Sequence, residues 1–204
     1  MREITSPSTV TDARVTRCTT ARMRASVRVG PQAISDRMAL MAFEIPPDLH
    51  QDVMPLAWLL GHWHGNGRGD YPTIEEFGFE QDIAFTHDTR PFLHYFSQTW
   101  ITDEDGDRVR PGALETGFIR AAGEGKVEMV LAHPTGYAEI WYGEIDGPRL
   151  TLSTDVIART ETAKEYTAGQ RMYGLVEGNL MYAYDMAAEG QPLQSHLWGK
   201  LARV

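Results

Sequence analysis

The chain has 204 residues, enough to bury a substantial core within one domain, and its formal net charge is −9. That charge is uneven: residues 1–40 carry seven arginines against three acids, and the remainder carries twelve basic against twenty-five acidic side chains. An acidic folded part argues against a nucleic-acid surface. The single Cys18 rules out an intrachain disulfide and fits a reducing, cytoplasmic setting, and no run of eighteen apolar residues is present to cross a membrane as a helix.

Residues 1–40 are rich in Arg, Thr and Ser and lack the apolar centre of a secretory signal. Low hydrophobicity with repelling charge does not offset the entropy of ordering, so residues 1–45 are expected to be a disordered extension or the product of a start assigned ahead of Met38 or Met41. An organelle-type transit peptide is the third reading. The folded domain is expected over residues 46–204.

From Pro46 the character changes. Pro46-Pro47-Asp48 can open a short helix with Leu49, Val53, Leu56 and Leu60 on one apolar stripe, which would serve as a lid or plug. The next stretch, from Gly61 through Trp63, Gly65, Gly67 and Gly69 to Tyr71-Pro72-Thr73, places glycine at alternate positions. On a strand this strips one face of side chains, so a bulky group or a neighbouring strand can approach the backbone there.

Further strands are predicted over residues 74–86, 92–101, 113–122, 127–132, 137–145, 150–158, 165–176, 180–186 and 195–204. Acidic, Gly-Glu-Gly, Asp-Gly-Pro and Glu-Gly-Asn turns punctuate them. Ten hairpin-linked strands with no long helix accumulate twist and leave open edges, and closure into an all-β, antiparallel up-and-down barrel removes both problems. A barrel of that strand number is wider than one filled by its own side chains, so a ligand cavity is expected.

Seven histidines are scattered along the chain. His62 and His64 would share one strand face, which permits a weak metal site but more simply describes two exposed polar residues. There is no Gly-x-Ser-x-Gly nucleophile motif, and Glu75-Glu76 and the Glu161/Glu165 pair read as solvated charges. His196 differs because it lies in the last strand, which pairs with the first in a closed barrel. Facing a wide apolar cavity, it is a candidate axial ligand for a flat hydrophobic cofactor. Facing outward, it is an ordinary hydrogen-bonded histidine, and strand phase does not decide between the two.

Taken together, Gly61-x-Trp63-x-Gly65-x-Gly67-x-Gly69-x-Tyr71-Pro72-Thr73-Ile74, the segment Glu115 to Arg120, Thr135-Gly136 with Glu139, and the closing His196-Leu197 resemble the nitrobindin family over residues 56–203. The resemblance implies a ten-stranded, fatty-acid-binding-protein-like (calycin) barrel with one ferric haem b per subunit at one mouth. It implies His196 as the axial iron ligand, Thr73 at the haem edge and Lys164 near a propionate. It implies isomerisation of peroxynitrite to nitrate, with reversible nitric oxide binding on the same iron, and it is compatible with a homodimer. No distal histidine is identifiable.

The alternative from a different class is an apo barrel that carries a fatty acid or another small hydrophobic ligand. Such a carrier needs a cation deep in the cavity, and Arg120 and Arg171 are the candidates.

Overall fold

The computed structural model describes residues 44–204. Apart from residues 44 and 45, the expected N-terminal extension, with Cys18, Met38 and Met41, lies outside the described residues.

Ten antiparallel strands follow one another: β1 (Gly61–Tyr71), β2 (Ile74–Thr86), β3 (Leu93–Thr102), β4 (Arg108–Gly123), β5 (Lys126–His133), β6 (Tyr137–Asp146), β7 (Arg149–Arg159), β8 (Tyr166–Val176), β9 (Asn179–Ala188) and β10 (Gln194–Arg203). Each pairs with its sequence neighbours, and β1 pairs with β10 to close the barrel, as the strand count and spacing predict.

The glycines of β1 make that closure possible. Trp63, Gly65, Gly67, Gly69 and Tyr71 share the inward phase, while His62, His64, Asn66 and Arg68 point outward. A Cβ on Gly65 would strike the backbone of Lys200 and Leu201, and one on Gly67 would strike the Phe79 ring and the Trp198 carbonyl. β10 and the rings of β2 therefore lie against bare β1 backbone. Gly61, Trp63, Gly65 and Gly67 build the seam and do not line the cavity that holds His196.

Both histidines are exposed, and His64 has ordinary surface partners, its Nδ1 lying 2.7 Å from Asp82 Oδ1. Among the described residues no cluster of His, Cys, Asp and Glu could hold a bare metal ion.

The short helix is present but of a different kind. Gln51–Leu59 is a 3₁₀ helix with Pro55 inside it. Proline lacks the N–H that a continuing α-helix would need, so the segment winds as tighter, shorter turns. Val53, Leu56, Ala57 and Leu59 are buried, and the segment packs against β4. The Trp63 indole donates to the Leu59 carbonyl at 2.7 Å, and Arg203 donates to the Trp58 carbonyl at 2.9 Å. This end, where β1 begins and β10 finishes, is therefore stoppered.

The interior also departs from the expected wide apolar cavity. Trp63, Phe79, Phe85, Tyr95, Trp141 and Tyr173 are fully buried and fill most of the bore with rings. Large aromatic side chains occupy the radius that ten strands create, so space remains only at the end opposite the helix. There the β7–β8 ladder stops at Ser153/Gln170, and the neighbouring β6–β7 and β8–β9 ladders carry register shifts.

Candidate functional site

The open end holds a cavity of about 280 Å³. It is smaller than the roughly 300–1,000 Å³ of pockets that enclose a drug-sized ligand, so a ligand here sits in a mouth rather than in a closed cage. The last residues of β1, β5 and β9, the first residues of β6, β8 and β10, and the β1–β2 turn surround it.

His196 reaches this cavity through a fault in the ladder. Leu197 pairs with Tyr184 and Ser195 with Asp185, so His196 is the extra residue of a β-bulge. Strict alternation from the buried Leu201 and Gly199 would put Leu197 inside and His196 outside. The bulge resets the phase, and both residues line the cavity.

The imidazole is held on two sides. Its Nδ1 lies 3.1 Å from the Asp70 carbonyl oxygen, and the Tyr71 and Tyr184 rings approach it at centroid distances of 5.3 Å and 5.8 Å. A carbonyl only accepts, so Nδ1 carries the proton and Nε2 keeps its lone pair. Burial pushes the ring below the usual histidine value, against the raising effect of the Asp70 carbonyl. Tyr71 is itself fixed: its hydroxyl accepts from the Ala188 N–H at 2.8 Å and lies 3.2 Å from the Met186 and Ala188 carbonyls.

Thr73 and Lys164 meet at the same rim through one carboxylate. Thr73 Oγ1 donates to Glu189 Oε2 at 3.1 Å, and Lys164 Nζ lies 3.0 Å from Oε1. Those two contacts, that of Lys164 first, hold the Glu189 carboxyl below the usual carboxylate range. The structure thus brings His196, Thr73 and Lys164 around one cavity, although they are far apart in sequence.

Four further groups belong to the wall: Arg171, which the sequence offered only as a cation for a lipid carrier, and Glu115, Glu139 and His133, to which it gave no role. Arg171 is 6% exposed and forms an ion pair with Glu115 at 2.7 Å, its guanidinium lying over the Trp141 and Tyr184 rings at 4.9 Å and 4.6 Å. Glu139 is 2% exposed and accepts from the Trp141 indole at 2.8 Å. His133 lies 3.2 Å from Glu139, so a second histidine does face this cavity, contrary to the sequence reading. It escaped notice because it sits at the end of a strand, where alternation is hardest to read. The signal for the others was a charge at an inward strand position, a placement that burial penalises unless a partner is present.

The two cations considered for a lipid carrier fare differently. Arg120 is outside, paired with Glu128, and Arg171 is inside but already neutralised by Glu115. The donor chemistry instead fits a haem: an imidazole nitrogen with a free lone pair, aromatic walls, and a rim that is polar.

Comparison with known proteins agrees with this geometry. Residues 52–203 match the family model of the THAP4-like, heme-binding beta-barrel domain. A protein from Nocardioides sp. named peroxynitrite isomerase is 60% identical over 163 residues, covering 80% of this chain and 99% of that protein. A ferric nitrobindin-like protein from Cutibacterium acnes is 46% identical over 165 residues, covering 80% and 99%. The crystal structure of Rv2717c from M. tuberculosis superposes with a TM-score of 0.69 at 40% identity, covering 76% of this chain and 99% of that one. With the match spanning all ten strands of the closed barrel, the chain belongs to the family of THAP4-like, haem-binding β-barrel domains.

Proposed function

We propose that this chain holds ferric haem b through Nε2 of His196 and isomerises peroxynitrite to nitrate, binding nitric oxide reversibly at the same iron. The observation that carries the reading is the Nδ1 contact of His196 with the Asp70 carbonyl, which leaves a lone pair on Nε2 beside the cavity. The names of the Nocardioides and Frankia casuarinae relatives, both peroxynitrite isomerases, support it.

When bound, the haem would be held by His196 and would supply the redox chemistry, which belongs to the metal and macrocycle. The protein's residues have simpler tasks. Asp70 orients the imidazole and raises its basicity by accepting from Nδ1, as partners of metal-ligating histidines commonly do. Tyr71 and Tyr184 clamp the ring. Thr73 and Lys164, joined through Glu189, form the polar edge suited to carboxylate groups of the cofactor, and the aromatic floor limits water below it.

The test is optical. Purified protein titrated with hemin is expected to develop a Soret band that His196→Ala abolishes and added imidazole restores. Peroxynitrite added to the loaded protein is expected to decay faster than with the same concentration of free hemin. A wild-type protein with no haem absorbance overturns the binding reading. Decay no faster than with free hemin overturns the isomerase reading and leaves a nitric oxide sensor.

A further inference from the structure

The cavity contains a second ionisable pair, on the wall that faces the His196 strand. In the ten-stranded ring β5 and β10 are separated by five steps in either direction, so His133, the last residue of β5, stands diametrically across the mouth from His196. Both residues line the same space.

The charge balance of the cavity leaves one buried carboxylate, Glu139, without a fixed cation. Glu115 neutralises Arg171 at 2.7 Å, and Glu189 neutralises Lys164 at 3.0 Å. Glu139, buried more deeply than either, has the imidazole of His133 within ion-pair reach, at 3.2 Å between Nε2 and Oε2. Burial works to raise the Glu139 carboxyl, yet His133, the Arg171 charge and the Trp141 indole outweigh it and hold it below the usual range. The buried carboxylate is thus kept as an anion, and the Nε2 of His133 is the histidine nitrogen that faces it.

The contact is close but not aligned as a directed hydrogen bond. The two groups are therefore held by proximity rather than by a directed bond. With Nε2 fully buried and turned to Glu139, the remaining polar atom, Nδ1, has no hydrogen-bond partner among the described residues. The Tyr137 ring packs edge-on against the imidazole at 6.1 Å, while its hydroxyl is engaged by the Lys164 carbonyl. The pair is thus anchored at its base and open at its tip.

We propose that His133, held by Glu139, is a binding residue for the anionic ligand: its Nδ1–H donates to an oxygen or halide ligand bound in the mouth, from the side opposite His196. This rests on the haem reading above and adds to it a basis for selecting an anion. A cavity whose fixed charges otherwise cancel or are negative has no other donor on that wall able to gain a positive charge.

The test uses the full-length protein loaded with hemin, with fluoride as the anionic probe and imidazole as the neutral one, both followed by absorbance. His133→Leu is expected to leave hemin stoichiometry and the Soret band intact, to weaken fluoride binding by roughly tenfold or more, and to leave imidazole binding within about twofold, since a hydrogen bond to a charged partner is worth about 1.5–3 kcal/mol. His133→Gln, which restores an N–H donor, is expected to recover part of the fluoride affinity. Glu139→Gln, which keeps the shape but removes the counter-charge, is expected to behave like His133→Leu. Where His133→Leu fails to fold, the Gln pair gives the same comparison. Histidine ring ¹⁵N spectra of the unloaded protein provide a second readout, with protonated Nε2 at His133 and protonated Nδ1 at His196 expected.

Unchanged fluoride affinity in a folded His133→Leu, or equal loss for fluoride and imidazole, overturns the proposal while the Soret band still upholds haem binding. Absence of a Soret band in the wild type is seen before any anion is added and overturns both.

Discussion

The Asp70 carbonyl accepts from Nδ1 of His196 across the closing seam of the barrel, at 3.1 Å, and so ties the tautomer of a β10 side chain to the backbone of β1. Because burial holds this ring below its ordinary value of 6.5, the unfolded chain takes up the proton first as pH falls. The stability contributed by the neutral ring is complete above about pH 6.5 and is lost as pH drops toward the folded-state value. His196→Gln should flatten the pH dependence of the unfolding midpoint below about pH 6.5. The same protonation competes with iron for the lone pair, so hemin affinity should fall as pH drops through the folded-state value, and an affinity independent of pH there would count against Nε2 ligation.

Arg171 and Glu115 form a pair sealed inside the wall. Removing one member strands the other, so Arg171→Met or Glu115→Leu alone should cost about 3–5 kcal/mol, whereas the double substitution should cost much less than the sum. Denaturant unfolding of the three variants checks this. Additive losses would mean that the two side chains are energetically independent.

Lys164 and Glu189 pair in the open, where an ion pair contributes at most about 1 kcal/mol. Glu189→Gln should therefore leave the melting temperature nearly unchanged, yet weaken hemin affinity by freeing Thr73 and Lys164 from their common anchor. Thermal melts and hemin titration separate these effects.

Gly65 and Gly106 separate two costs of replacing glycine. A methyl on Gly65 meets the backbone of β10, which cannot yield without opening the seam. Gly106 has φ of +89° and open space around it, so only the left-handed backbone opposes a side chain. Gly106→Ala should lose about 1–2 kcal/mol and Gly65→Ala clearly more, as measured by chemical denaturation.

Leu56 is fully buried in the 3₁₀ stopper, at the end remote from the cavity. Leu56→Ala should cost about 2–5 kcal/mol while leaving the absorbance spectrum of the hemin-loaded protein unchanged. A shifted Soret band would show that the two ends are coupled.

The architecture was legible because strand physics is local. Alternating glycines in β1 announced a close approach, and turn signals placed the strand boundaries to within a few residues of those observed. The 3₁₀ helix was misjudged in kind, although Pro55 held the clue. The site was harder to read. A bulge at residue 196 depends on pairing with β9, so nothing in Ser195-His196-Leu197 reports it. The junction of Glu115 with Arg171 spans 56 positions, and that of His133 with His196 arises only once the ring of strands is closed. Aromatic filling of the bore was likewise invisible until the inward phases of all ten strands were known together.

The single unpaired residue in β10 separates two tasks along one strand. From Leu197 onward the chain keeps the register that seals the cylinder, and one position earlier it presents a ring to the ligand. Excising that one residue would leave a shell that closes but is blind to its cofactor. In this fold the capacity to bind rests on a one-residue frame-shift in hydrogen bonding.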